Sequence, residues 1–182
     1  MGRVVVAEFI SCDGVMEAPE TWSFPFWNDE IAAFKHRELF ASGAHLLGRA
    51  TYQGFAAAWP GRSGEFADRM NALPKYVVST SLSLEEGAWA GTHVIRENVV
   101  DEVSKLKQDP GQDILVAGSR TLVQTLVQND LVDEYHLLVY PIVLGTGKRL
   151  FEGGTKARLK LVDSTTFATG VVALCYQPDQ SR

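Results

Sequence analysis

DILVAGSRTLVQTLVQN, residues 113–129, is the stretch whose reading decides the fold class. It opens with a short apolar run rich in branched residues, the composition of a strand buried on both faces. Ala117-Gly118-Ser119 breaks that run. From Arg120 onward the apolar residues recur as Leu122, Val123, Leu126 and Val127, the spacing of one helix face. A buried strand that passes through a glycine turn into an amphipathic helix is half of a βαβ unit, and such units build parallel sheets. The same order of signals stands at 44–55, AHLLGRATYQGF, where the strand ends at Gly48 and a helix begins near Ala50.

Each of these turns carries an arginine, Arg49 or Arg120, at the mouth of the helix that follows. A helix N-terminus bears about half a positive charge and unpaired N–H groups, so a cation there is disfavoured unless an anion binds beside it. One such arginine is explained by a side chain that reaches out to solvent. The repetition, each time directly after Gly48 or Gly118-Ser119, weighs a phosphate-bearing ligand evenly against that plainer explanation.

Outward from these two units the chain alternates strand and helix signals without internal repeats. RVVVAEFI at 3–10 reads as a buried strand and Asp13-Gly14 as the turn behind it. VMEAPETWSFPFW at 15–27 is an irregular, aromatic stretch with two prolines, and loops of that length in compact domains are often functional. Asn28 is positioned as the N-cap of a helix over 28–41 whose inner face holds Ile31 and Phe34. A short helix within 58–74, strands at 75–80 and 92–96 and a helix over 99–108 follow. After Leu131 the helices stop. LVDEYHLLVYPIVL and two runs within 158–178 predict antiparallel strands closing the sheet. The fold class is therefore α/β, one domain over residues 1–178, with a mixed, mostly parallel sheet flanked by helices and an antiparallel C-terminal part.

The bulk properties exclude several function classes. With 182 residues, 46% hydrophobic and 21% charged, the chain has the composition of an ordinary globular domain. A net charge of −5 argues against general attraction to nucleic acid or to acidic membranes, so any anion site must be local. The apolar run at 4–10 is interrupted by Glu8 and is too short for a membrane span or signal peptide, which makes the cytoplasm the expected compartment. Cys12 and Cys175 have no metal or disulfide spacing and read as buried thiols. His36, His45, His93 and His136 show no metal spacing either, read as surface or half-buried side chains, and leave no metal expected.

Familiar phosphate motifs fail when tested. LGTGKRLF at 144–151 would need Gly at Ile142 and Ser or Thr at Arg149 to be a Walker loop, and a third Gly at Leu150 to be a Rossmann fingerprint. It reads better as a glycine turn between elements. A GxSxG nucleophile elbow and the zinc-deaminase signature are both absent from the sequence.

Five blocks taken together resemble a known family: SCDG at 11–14, LLGRATYQGF at 46–55, LPKYVVSTSL at 73–82, LVAGSRTLVQTL at 115–126 and LVDEYHLLVYPIVLGTGKRLF at 131–151. In order and over nearly the full length, they are similar to the dihydrofolate-reductase-like superfamily, in particular to standalone relatives of the reductase half of the riboflavin-biosynthesis deaminase-reductase. The resemblance implies an NADPH-dependent reductase and a homodimer. It places Gly48, Arg49 and Thr51 at the cofactor phosphates, Ser79, Thr80 and Ser81 at the 2′-phosphate, and Gly118, Ser119, Arg120 and Thr121 at the diphosphate and adenine end. On the substrate side it matches Glu30 to the pterin-binding carboxylate and Phe34 to the apolar residue one turn later. Asp13 and Gly14 then border the nicotinamide, and Phe55 lines the same cleft. Glu30, Asp13 and a bound water are the candidate proton donors.

Each of these positions also has a plainer reading as an N-terminal helix charge, a turn or a core residue. Two departures from the relatives bear on the substrate. The Leu-Pro-Trp element of folate reductases is missing before the first helix, and the first strand lacks the lysine usual in the riboflavin-pathway reductases. The expected chemistry is hydride transfer to a small pterin-like or aminouracil-like heterocycle. Dihydrofolate reduction and a non-catalytic NADP(H)-binding protein are the alternatives.

Overall fold

The computed structural model describes residues 1–86, 88–154 and 156–179, and within them the chain lays down eight strands in one sheet. In chain order the elements are β1 (Val4–Ser11), α1 (Asp29–Ala41), β2 (Ser42–Gly48), α2 (Arg49–Ala58), α3 (Glu65–Ala72), β3 (Lys75–Val78), β4 (Thr92–Ile95), α4 (Val99–Gln108), β5 (Asp113–Val116), α5 (Arg120–Gln128), β6 (Glu134–Tyr140), β7 (Leu159–Thr166) and β8 (Val172–Pro178). The sheet order is β4-β3-β2-β5-β1-β6-β8-β7. All neighbours from β4 to β6 pair parallel, and β8 runs antiparallel to β6 and β7 on either side.

The fold class is as the sequence indicated, with one refinement. The sequence pattern groups LVDEYHLLVYPIVL with the antiparallel strands, whereas β6 is parallel to β1, from Val5 opposite Glu134 to Ser11 opposite Tyr140, and meets an antiparallel strand only at β8. The reason is α5, which returns the chain over the sheet so that β6 enters in the direction of β5.

Strand alternation sorts the core onto two faces. Val4 and Val6 of β1 pack with Val103 of α4 and with Leu122, Val123 and Leu126 of α5. Val5 and Ala7, pointing the other way, pack with Leu39 of α1, Tyr52 of α2 and Met70 of α3. A third cluster sets Ile31 and Phe34 of α1 against Leu138 and Tyr140 of β6 and against Trp22 and Phe167. The α1 N-cap is as expected: Asn28 Oδ1 accepts the Ile31 N–H at 3.0 Å.

Beside that third cluster a line of charges crosses from α1 to the sheet. Lys35 is ion-paired to Glu38, His136 Nδ1 lies 2.8 Å from Glu38 Oε1 and its Nε2 2.8 Å from Glu134 Oε1, and Arg3 donates to Glu134 Oε2 at 2.8 Å. Burial opposes a charge on His136, but the two carboxylates outweigh it and hold the imidazole pKa above its ordinary value.

Two expectations about single residues need correction. His45 is neither exposed nor half-buried: it is 1% exposed on β2 with neither ring nitrogen hydrogen-bonded, and burial, helped by the positive charge of Lys75, pushes its pKa down to about 4. Cys12 is exposed rather than buried, because the chain leaves the sheet after Ser11, while Cys175 on β8 is buried.

For function the decisive feature is where the crossovers reverse. Connections through α1 to α3 pack on one face and those through α4 and α5 on the other, and β5 lies between β2 and β1. A crevice therefore opens beyond the C-terminal ends of β2, β5 and β1, the place where ligands bind in sheets of this kind.

Candidate functional site

Two helix N-termini meet at that crevice. The Gly48 N–H at the end of β2 donates to the Gly118 carbonyl in the turn after β5, at 3.0 Å. This link ties the start of α2 to the start of α5. Both glycines disfavour a side chain, for different reasons: a Cβ on Gly48 would stand 2.7 Å from Ser119 Cβ and 2.9 Å from Ser119 N, whereas Gly118 sits at φ +89°, where side chains are strained, with Thr51 Oγ1 3.1 Å from where its Cβ would be. α5 is capped by its own Ser119, whose Oγ accepts the Leu122 N–H at 3.4 Å. α2 has only Gly48 as N-cap and no side-chain cap bond, so its leading N–H groups remain for a ligand. Gly48, Thr51, Gly118 and Ser119 are thus brought together.

A second cluster lies at the end of β3. The exposed Arg49 Nη1 donates to Ser81 Oγ at 2.8 Å, although the two residues are 32 positions apart. Ser79 Oγ shapes the turn by accepting the N–H groups of Ser81 and Leu82 at 3.3 and 3.0 Å. Thr80 supplies its carbonyl to Arg96 Nη1, and Arg96 Nη2 donates to the Leu82 carbonyl at 2.7 Å. Arg96 went unremarked in the sequence because it only ended a strand. The other candidate residues of this end stand apart: Arg120 Nη2 lies 3.2 Å from Glu152 Oε2, and Thr121 is exposed on the first turn of α5.

On the opposite side of the crevice, the segment after β1 is laced to the glycine turn after β6. Val15 bridges Arg149 in antiparallel fashion, the Met16 N–H donates to the Lys148 carbonyl and the Leu150 N–H to the Gly14 carbonyl. Between the two segments lies a cavity of about 260 Å³ lined by Val15, Glu17, Ala18, Trp22, Leu144 and Gly147. It has the size for a single small ring system. Gly14, at φ +81°, has nothing within 4 Å of where a Cβ would be, so the approach beside it is open.

Asp13 is the clamp of this region. Its carboxylate accepts the Ser11 hydroxyl at 2.6 Å and the N–H groups of Leu144 and Gly145 at 3.1 and 2.8 Å, with Arg149 3.7 Å away. The Ser11 bond and the two amides hold its pKa down at about 2, so it accepts hydrogen bonds and has no proton to donate near neutrality.

Glu30 is exposed and directed elsewhere, its Oε2 accepting the Ala168 N–H of the β7–β8 turn at 2.7 Å and the Asn28 side chain at 2.9 Å. Phe34 lies edge-on to His136 and Phe167, inside the third cluster. Phe55 packs half-buried against the α2–α3 cluster. Of the five substrate-side candidates, none lines the cavity: Asp13 and Gly14 stand beside it, bonded or adjacent to its wall residues Leu144 and Val15, and Glu30, Phe34 and Phe55 are engaged elsewhere.

One buried group was not singled out from the sequence. Glu8 of β1 is 7% exposed, beside Gly118, with Oε1 lacking any hydrogen-bond partner. A charge inside the apolar run VVVAEFI was the signal that could have found it. Among the described residues no three His, Cys, Asp or Glu side chains group to hold a metal ion, and no helix is long and apolar enough to cross a membrane.

Comparison with known proteins gives the family and the fold. A family model described as the RibD C-terminal domain matches residues 3–173. The uncharacterised protein YyaP of Bacillus subtilis (strain 168) is 43% identical over 83 residues, which is 45% of this chain and 44% of that relative. The match thus spans less than half of YyaP. Among solved structures, a pyrimidine reductase-like protein from Corynebacterium diphtheriae superposes with a TM-score of 0.74 at 14% identity, covering 99% of this chain and 93% of that one. A dihydrofolate reductase from Enterococcus faecalis complexed with NADP(H) gives 0.65 at 13% identity, covering 98% of each chain. At such identities the two structures speak for the fold.

Proposed function

We propose a nicotinamide-dinucleotide-dependent reductase, from the premise that this chain belongs to the RibD C-terminal domain family. The observation that carries the reading is the junction of α2 and α5: two helix N-termini held together by the Gly48–Gly118 bond, one left uncapped and crowded at Gly48, the other entered through Gly118 at φ +89°. Such a junction fits a diphosphate, which meets N–H groups and the positive ends of both helix dipoles. The Arg49–Ser81 pair, at the end of the neighbouring β3, fits a further phosphate on the adenosine half and favours NADPH over NADH.

The dinucleotide, when bound, supplies a hydride. The protein's own part is orientation. Gly118 and Thr51 set how closely the ligand approaches β1, and the Asp13 clamp fixes the loops around the 260 Å³ cavity. Val15 and Glu17 line that cavity, while Met16 between them reaches toward Gly118, so the substrate space and the dinucleotide cradle share one wall. The cavity size suits a small planar heterocycle of the aminouracil or pterin class.

The experiment is NADPH oxidation followed spectroscopically with a panel of aminouracils and pterins. Turnover dependent on a member of the panel is the expected result. Tight NADPH binding with no turnover on any member would favour a non-catalytic nucleotide-binding protein.

We also place a homodimer contact on β7, the outer strand at the C-terminal end of the sheet, where Lys160–Thr166 are exposed and Leu161 and Val162 are among the exposed apolar residues. Light scattering is expected to give twice 20.0 kDa, and a mass of 20.0 kDa contradicts the dimer.

A further inference from the structure

We propose that Glu8 is a proton-dependent positioning residue of the dinucleotide cradle: uncharged it leaves the Gly118 turn free to meet an anion, and ionised it opposes an anion bound there. This rests on the reductase reading above, in which α2 and α5 hold a diphosphate. The placement follows from register. β5 pairs with β1 only as far as Val116 opposite Val6, and the chain then turns away through Gly118. Glu8, opposite Leu137 on the other edge of β1, therefore lies just beyond the last β1–β5 pair, where the sheet opens.

The Gly118 turn is enclosed by three side chains. A Cβ on Gly118 would stand 3.7 Å from Glu8 Oε1, 3.1 Å from Thr51 Oγ1 and 3.7 Å from Met16 Cε. The carbonyl of the same glycine accepts the Gly48 N–H that joins the two helices. Glu8 is thus under the joint of the cradle, and its Oε1 has no hydrogen-bond partner. A buried, unpaired carboxyl oxygen is unfavourable to the fold, and such conflicts are expected at functional or strained sites.

Around it, Thr51 of α2, Met16 of the following loop and Leu137 of β6 carry no charge. The charged groups that act on it are Lys35 and Glu38 of α1, themselves ion-paired and opposite in effect, and the Gly118 amide favours the ionised form. Burial outweighs them and pushes the Glu8 pKa up to about 8. Near neutral pH the carboxyl is mostly protonated. Ionising it sets a negative charge against the bound diphosphate in a site of low dielectric, so a ligand that needs the protonated form loses affinity about tenfold from about pH 7 to about pH 9.

The test is calorimetric titration of the full chain with NADPH and with NADH at those two pH values. Both lie above the second phosphate ionisation, near pH 6, so the ligand charge stays constant. Wild type is expected to lose about tenfold in affinity for both nucleotides. Glu8→Gln, and Glu8→Leu should the first fail to fold, are expected to bind equally at both pH values. Equal pH slopes in wild type and variants overturn the role.

A ligand-free measurement runs in parallel. The folded protein holds a proton that the unfolded chain releases, so the stability tied to Glu8 is complete below 4.5 and is lost as pH rises to about 8. Wild-type unfolding midpoints are therefore expected to fall relative to either variant across that window, and parallel curves would contradict this. Wild type binding neither nucleotide at either pH defeats the cradle and the Glu8 role together. Normal binding with coincident slopes defeats the Glu8 role alone.

Discussion

Gly48→Ala is expected to weaken NADPH and NADH binding alike by about a hundredfold, equivalent to about 2.7 kcal/mol. Backbone strain is not the cause, since Gly48 has φ −76°. The cause is space: the new methyl group would sit 2.7 Å from Ser119 Cβ and 2.9 Å from Ser119 N, and the second of these atoms is backbone. A rotamer change at Ser119 cannot clear it, so the β5–α5 turn must move away from α2. That movement breaks the Gly48 N–H to Gly118 carbonyl bond and separates the two helix ends that face the diphosphate. Ser119→Gly removes the side-chain part of the clash, so the double variant should recover part of the affinity. The check is calorimetry on both variants, and an unchanged affinity in Gly48→Ala would show that the junction does not hold the ligand.

Arg49→Ala is expected to lower NADPH affinity by between ten- and a hundredfold and to leave NADH affinity within about twofold, since a charge-assisted hydrogen bond contributes about 1.5–3 kcal/mol. Arg49 is exposed at the first position of α2, where the helix dipole disfavours a cation, and among the described residues its hydrogen bond goes to the exposed Ser81. Its structural contribution should therefore be small, and the ligand-free melting temperature is expected to stay level or rise. A clear drop in that temperature, with NADPH affinity retained, would make Arg49 a structural residue holding the β3 turn.

The helix-terminus side of the candidate site, where the α2 and α5 turns meet, was legible in sequence because its parts are local. A strand, a glycine, an arginine and a helix follow one another within a few residues at both 44–55 and 113–129, and the α/β topology brings the ends of such units to one edge of the sheet. Even so, the two arginines do not act alike. Arg49 meets Ser81, while Arg120 turns to Glu152, a partner beyond β6 that periodicity along the chain does not reveal.

The substrate side was less legible because it is built from loops distant in sequence. Asp13 bonds Leu144 and Gly145, more than 130 positions away, and what looked like a turn residue or a proton donor is a clamp. Glu30 had the right spacing from Phe34 to share a helix face with it, yet the β7–β8 turn occupies its carboxylate. The orientation of β6 depended on which strand it would join, and His45 and Glu8 show that a polar residue inside an apolar strand need not reach solvent.

Whether the crevice at the ends of β2, β5 and β1, with the end of β3 beside it, binds a phosphorylated nicotinamide dinucleotide is decided by titrating NADPH and NADH into the wild-type protein in a calorimeter near pH 7. One site per chain and at least about a tenfold preference for NADPH are expected, from the Arg49–Ser81 pair. Equal affinity for the two nucleotides, or binding of neither, would contradict this expectation.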